Sequence, residues 1–423
     1  MRALVIVALA ACSNDVDPRV IPGGGVGDGE IDGEVNVHVI DDDDAPIAGA
    51  TVEVNGQQET TDSKGLVVFS DVEGAQTIAV KASGYRSEVW VGANGANVTI
   101  PMTATGVAPD SATLAGTITG WDTITVPTGH VKAAIVLFSH SDAFGDEAND
   151  LQTPAMANIC IGGAVCSWTL LSRTGSVTVT AAIVDRDGKG TPTDPDDDTQ
   201  SIIGWAYKTG VTVEDGVNQS GLTLALVEAG NLETMTIDQG TPPAGLSEVT
   251  CVPGIEISDD EVVQLPSFVN SDPTMLLAPK RTVFGGTATY RLTAIAQTTS
   301  GDMGAQSILL RQGMTTPDLA AGTWLVTPTD VEITRTTAAW SAVSGAALHS
   351  AVWGNGQTEL LQITVLASKT ASVEVPSLVA LPTSGTLNAR VTAIGADLDP
   401  NDFSLEDDSG LIWGASTQPV SIP

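Results

Sequence analysis

The chain has 423 residues, and 17 Lys and Arg against 51 Asp and Glu give a formal net charge of -34. A surface this acidic repels nucleic-acid phosphates and anionic headgroups, which excludes nucleic acid as a partner. With 44 Gly, 22 Pro and short runs rich in Thr and Val, the chain reads as strands punctuated by turns, and an all-β protein of about three or four tandem β-sandwich domains is expected.

Met1 to Ala11 carries one Arg, a short apolar run and then Leu9-Ala10-Ala11-Cys12. A charged end, an apolar core and small residues before the cut are what export processing requires. The segment resembles a bacterial lipoprotein signal, and Leu-Ala-Ala-Cys is similar to the lipobox of that class. The resemblance implies a signal peptide over 1–11, cleavage before Cys12, and acyl chains such as palmitate on Cys12 that hold the chain to a membrane. Ser13 and Asn14 follow where some bacteria use Asp for inner-membrane retention, so the outer membrane or cell surface is expected. No later window approaches the ~18 apolar residues of a spanning helix. Residues 12–32 include Gly23-Gly24-Gly25, Gly27 and Gly29 among acidic neighbours, and they read as a flexible tether.

From residue 33 the pattern changes. Val35, Val37 and Val39 alternate with Glu34, Asn36 and His38, the signature of a half-buried strand. Ala50 to Val54 is a second strand, and Thr61-Asp62-Ser63-Lys64-Gly65 is a turn into Leu66 to Phe69. Together with Gly33-Glu34-Val35, the segment Pro46-Ile47-Ala48-Gly49-Ala50-Thr51-Val52, Phe69 and Ser83-Gly84-Tyr85, these residues resemble the carboxypeptidase regulatory-like domain. That resemblance covers 33–104. It implies a transthyretin-like β-sandwich of the carbohydrate-binding-like class, without catalytic residues, serving as a spacer or interaction unit.

Residues 112–237 form a second β unit, with strands expected at Ala112 to Ile118, Val131 to Phe138, Ser176 to Val184, Ile202 to Tyr207 and Leu222 to Val227. Cys160 and Cys166 flank a Gly162-Gly163 turn and are expected to close a hairpin by a disulfide. Cys251 is left over, either as a buried thiol or as an alternative partner for one of them. Pro242-Pro243 marks a boundary into a β segment over 238–326, either a domain of its own or half of a larger one, with weaker strand signals at Val262 to Leu265, Thr287 to Ala296 and Ser307 to Leu310. Residues 327–423 resemble a fibronectin type III or related immunoglobulin-like sandwich, through Thr337-Ala338-Ala339-Trp340-Ser341 and Leu387 to Ala393. Asn388 lies near where that family's later strand carries a tyrosine.

The residues with the most pronounced chemistry are Asp185-Arg186-Asp187-Gly188-Lys189-Gly190-Thr191-Pro192-Thr193-Asp194-Pro195-Asp196-Asp197-Asp198. Carboxylates spaced around a Gly turn can converge on calcium, which takes six to eight oxygens. Lys189 at a ligand position, Asp196 in place of the closing Glu and a strand before the loop exclude an EF-hand. The loop is expected either as a solvated acidic hairpin loop or as a β-loop calcium site through Asp185, Asp187, Asp194 and Asp196. Asp41 to Asp44 read as a solvated loop, and Ser139-His140-Ser141-Asp142 with Glu147 and Asp150 as a strand cap and loop. His38, His130, His140 and His349 are scattered, and no elbow, metalloprotease or phosphate-loop motif occurs, so no enzyme is expected. Trp205 and Tyr207 share a strand face, with Trp90 and Trp121 near loops. Such aromatics fill cores or stack on sugar rings. The functional expectation is a non-enzymatic, lipid-anchored envelope protein acting as a structural or protein-interaction arm. The alternative is a calcium-dependent glycan-binding surface module. Exposed coplanar aromatics would favour the second and buried ones the first.

Overall fold

The computed structural model describes residues 19–106, 111–140, 158–189, 198–258, 261–265, 274–298, 304–356, 358–366, 372–396, 399–405, 411–417 and 419–423. Among them the regular structure is strands and short 3-10 turns. The tandem β-sandwich class is what the alternation in the sequence implies.

Val35, Val37 and Val39 lie on the Asp32–Ile40 strand and are all fully buried. This strand pairs antiparallel with Leu66–Glu73 and parallel with Asn97–Pro101. The turn between the two halves of the sandwich is built by its own side chains. The Asp62 carboxylate accepts the Lys64 and Leu66 N–H groups at 2.8 and 3.0 Å, and the buried Thr61 hydroxyl donates to the Ile47 carbonyl at 2.7 Å. The facing sheet holds Thr51–Val54, Gln57–Thr60, Gln76–Lys81 and Ser87–Ala93.

That facing sheet does not end at Ser87–Ala93. The strand pairs in parallel with Thr358–Val365, from Ser87 opposite Leu361 to Val91 opposite Val365. The sheet then runs through Leu348–Asn355, Leu387–Ala396, Leu411–Ser416, Gln306–Met314, Thr289–Gln297 and Glu248–Ser258 to Glu261–Gln264. Period-two alternation gives it two apolar faces. Ile78, Val80 and Trp90 enter the N-terminal core, whereas Ala79 and Val89 enter a core with Trp340, Trp353, Ile363 and Val391. One sheet is thus shared by two cores.

The tether reading of 12–32 is corrected over its described part. Gly25–Gly27 is a strand, antiparallel to both Asn97–Pro101 and Phe403–Ser404. Glycine makes this insertion sterically feasible: a Cβ on Gly25 would lie 2.1 Å from the Phe403 carbonyl oxygen. Val26 and Ile31 are buried, which supplies the apolar anchorage that the glycine count concealed. Met1 to Ala11 and Cys12 lie outside the described residues.

The middle unit is a seven-stranded sheet among the described residues. Its order is Ile159–Ile161, Val131–His140, Gly175–Asp187, Thr199–Val213, Gln219–Leu226, Ser111–Ile118, Ser167–Arg173. Its inner face packs Val136, Phe138, Ala181, Ile183 and Leu224 around Trp121 and Trp168. Its outer face sends Ala182, Val184, Ile202 and Trp205 into a second core with Met235, Ile255, Leu292 and Trp324. Strands and cores therefore cross the sequence limits at 104, 237 and 326.

Candidate functional site

The acidic loop sits at the end of the hairpin formed by Gly175–Asp187 and Thr199–Val213, whose pairing reaches Asp187 opposite Thr199. Asp185 and Asp187 are two residues apart on one strand and so project to one side, where His130 meets both. The His130 Nδ1 lies 2.9 and 3.1 Å from the two Asp185 oxygens, and its Nε2 lies 3.7 Å from Asp187 Oδ2. Lys189 donates to Asp187 twice, from Nζ at 2.6 Å and from its backbone N–H at 3.0 Å. These hydrogen bonds hold the Asp187 carboxyl below its ordinary range. Arg186 Nε donates to the nearly buried Asp198 at 2.6 Å. Each of these three carboxylates thus has a basic partner from the chain itself. Asp194 and Asp196 lie outside the described residues, and among the described residues no group of three or more acidic, His or Cys side chains is disposed to hold a metal.

The aromatic residues face inward. Trp205 has no exposure and donates its indole N–H to the Leu277 carbonyl at 2.6 Å. Tyr207 packs against Phe284 with ring centroids 4.6 Å apart. Trp90 stacks on Phe403, and Trp121 is covered by Lys132, whose ammonium lies 4.8 Å from the ring centre. Among the described residues, the large hydrophobic side chains left exposed are aliphatic, so the four aromatics considered for sugar stacking form no platform.

Ser139 is buried and bonds across to another strand, donating to the Val262 carbonyl and accepting the Gln264 N–H at 3.3 Å. Its hydroxyl is a fastener between units. The His140 side chain and Ser141, Asp142, Glu147 and Asp150 lie outside the described residues. The Asp41 to Asp44 run is more than a solvated loop. Asp41 caps the Asp43 and Ala45 N–H groups at 3.0 and 2.9 Å, and Asp44 accepts the Gly23 N–H at 2.9 Å.

Sequence reasoning missed an ionic cluster where the shared sheet passes from the N-terminal sandwich to the C-terminal unit. Arg86 Nε donates to Glu88 at 2.7 Å, and its Nη1 donates to Glu359. Arg390 Nη2 reaches the other Glu359 oxygen at 2.8 Å. The side chain of Glu88 is only 2% exposed. Arg86 and Glu88, two apart on an extended segment, could have been placed on one face from sequence. Nothing in the sequence marks Glu359 or Arg390 as their partners.

Cys160 and Cys166 form a disulfide with their Cα atoms 5.4 Å apart. It ties the first strand of the seven-stranded order to the residue before the last, across the Gly162-Gly163 turn. Cys251 is a buried thiol, and burial pushes it up to about 11, away from the reactive thiolate. Reduction of the Cys160–Cys166 bridge should lower stability by about 2 kcal/mol, the chain-entropy value for so short a loop. Urea midpoints with and without reductant check this; equal midpoints would show that the bridge constrains nothing.

No family model matches the chain, and no curated protein matches it. Among solved structures, a mutant form of the shaft pilin SpaA from Lactobacillus rhamnosus GG aligns at 11% identity and a TM-score of 0.15, over 46% of this chain and 98% of the pilin. The pilus adhesin SpaC from the same organism aligns at 9% identity and a TM-score of 0.14 over 79% of this chain, and in its open conformation at 10% and 0.13 over 82%. These alignments span less than half of the adhesin. Similarity at this level carries no functional argument, so function rests on the chain's own residues.

Proposed function

We propose that this chain is a non-enzymatic, lipid-anchored envelope protein acting as a stiff structural or protein-interaction arm at the outer membrane or cell surface. In this reading Cys12 carries the lipid and residues 33–104 are a carboxypeptidase regulatory-like module. The carrying observation is the sheet that continues from Gln57–Thr60 to Glu261–Gln264. Modules joined by backbone hydrogen bonds and common cores resist the hinge motion that is the default between linked domains. Such a body suits holding partners at fixed spacing. Inward packing of Trp90, Trp121, Trp205 and Tyr207 supports this reading over glycan stacking.

Cys12→Ser tests the anchor. The wild-type chain is expected in the membrane fraction with incorporated radiolabelled palmitate, and the variant in the soluble fraction without label. A wild-type chain that is soluble and unlabelled would overturn the anchoring. A glycan array with calcium and again with chelator should be silent in both arms; a calcium-dependent signal would replace the arm by a lectin-like module.

A further inference from the structure

The junction between Ser87–Ala93 and Thr358–Val365 is held by apolar contacts on one face and by ions at one end. Arg86 precedes the first of these strands and Glu88 lies on it. Glu359 comes from the second, and Arg390 from the neighbouring Leu387–Ala396 strand. Two carboxylates, Glu88 and Glu359, bond the two guanidiniums, and the Asp42 carboxylate on the loop after Asp32–Ile40 is held electrostatically by Arg86 without bonding it. Glu88 is the enclosed member, whereas Glu359 and Arg390 are partly open to water, with side-chain exposures of 35% and 41%.

We infer that this cluster is a proton-sensitive clasp, which grips the N-terminal sandwich to the C-terminal unit more tightly in mild acid than above neutrality. The physical reason is the burial of the Glu88 carboxyl, to which the neighbouring negative charges of Glu359 and Asp42 add. With Glu88 ionised, Arg86 must serve two carboxylates while Asp42 adds a third negative charge. Protonation of Glu88 removes the enclosed charge and leaves Arg86 and Arg390 to Glu359 and Asp42.

The charge states follow the geometry. Burial works against the Arg86 cation, but Glu88 and Glu359 more than offset it and hold the guanidinium above its ordinary range. Burial raises the Glu88 carboxyl from 4.5 to about 7, against the pull of Arg86 and with further upward pushes from Glu359 and Asp42. Desolvation raises Asp42 as well. Because the folded-state value of Glu88 lies above the unfolded one, the folded form binds the extra proton. Stability at the junction therefore rises as pH falls from about 7 towards 4.5 and is lost again as pH climbs through about 7.

Amide hydrogen exchange on the full chain, corrected for intrinsic rates, tests the clasp at pH 5.5 and 8.0. The Ser87–Val91 and Leu361–Val365 amides should be about tenfold better protected at the lower pH, relative to the Val177–Ile183 amides of the middle unit. Glu88→Gln, neutral and nearly isosteric, should abolish that difference. Should the variant fail to fold, the wild-type profile decides alone. An acid effect spread evenly over junction and middle unit, or a difference that persists in Glu88→Gln, would overturn the clasp.

Discussion

Expressed alone, residues 19–106 are expected to give no cooperative unfolding transition, although 33–104 reads as a complete sandwich in the sequence. The Ser87–Ala93 strand would lose its parallel partner and present a bare edge. Ala79 and Val89, now in the core around Trp353, would face water, and a fully buried Val is worth about 1.5–3 kcal/mol. The other face suffers too. Leu348, Leu366, Phe403 and Leu405 belong to the N-terminal core, Phe403 stacks on Trp90 at 5.9 Å, and Gly25–Gly27 would lose Phe403–Ser404. Losses on both faces draw on a total that for an ordinary domain is only about 5–15 kcal/mol. Urea titration followed by tryptophan fluorescence, which in the fragment comes from Trp90 alone, and by far-UV circular dichroism compares the fragment with the full chain. A cooperative transition in the fragment would show that the sandwich is self-sufficient and that the shared sheet is only an abutment.

The same contacts mark where sequence reading runs out. Alternation at Val35, Val37 and Val39 is a local signal and placed its strand well, as did the Thr61 to Gly65 turn. Trp340 and Leu387 likewise fall within strands where expected. Pairing between strands about 270 residues apart leaves no local trace. The run Glu88, Val89, Trp90, Val91 reads as one buried strand, whereas its odd and even positions serve different cores. Gly23 to Gly29 misled for a related reason. Glycine density signals flexibility in isolation, but it also permits close backbone approach, and the few anchoring side chains, Val26 and Ile31, are easily overlooked. The ionic cluster was half legible, through the spacing of Arg86 and Glu88. The acidic loop drew attention by composition, yet composition did not reveal His130 and Lys189 as the partners of Asp185 and Asp187.

Gly116→Ala is expected to cost about 3 kcal/mol or more, an unusual amount for one added methyl group. Gly116 lies on Ser111–Ile118 between two neighbours, opposite Leu222 of the parallel strand and Trp168 of the antiparallel one. A Cβ there would stand 2.0 Å from the Leu222 carbonyl oxygen and 2.8 Å from the Trp168 ring. The first obstacle is backbone, so no rotamer change relieves it. The strand must draw away from Gln219–Leu226, breaking the parallel ladder in the seven-stranded sheet, and Trp168 must shift in a core where Leu114 and Leu224 are fully buried. Gly204→Ala is the matched control. Its Cβ would meet only the Ile183 side chain at 3.6 Å, an ordinary contact, and it should lie within about 0.5 kcal/mol of wild type. Urea midpoints separate the two variants. If Gly116→Ala unfolded at the wild-type midpoint, the ladder would have to yield by more than an ångström without loss. The close approach of Ser111–Ile118 to Gln219–Leu226 would then not be what holds the middle unit closed.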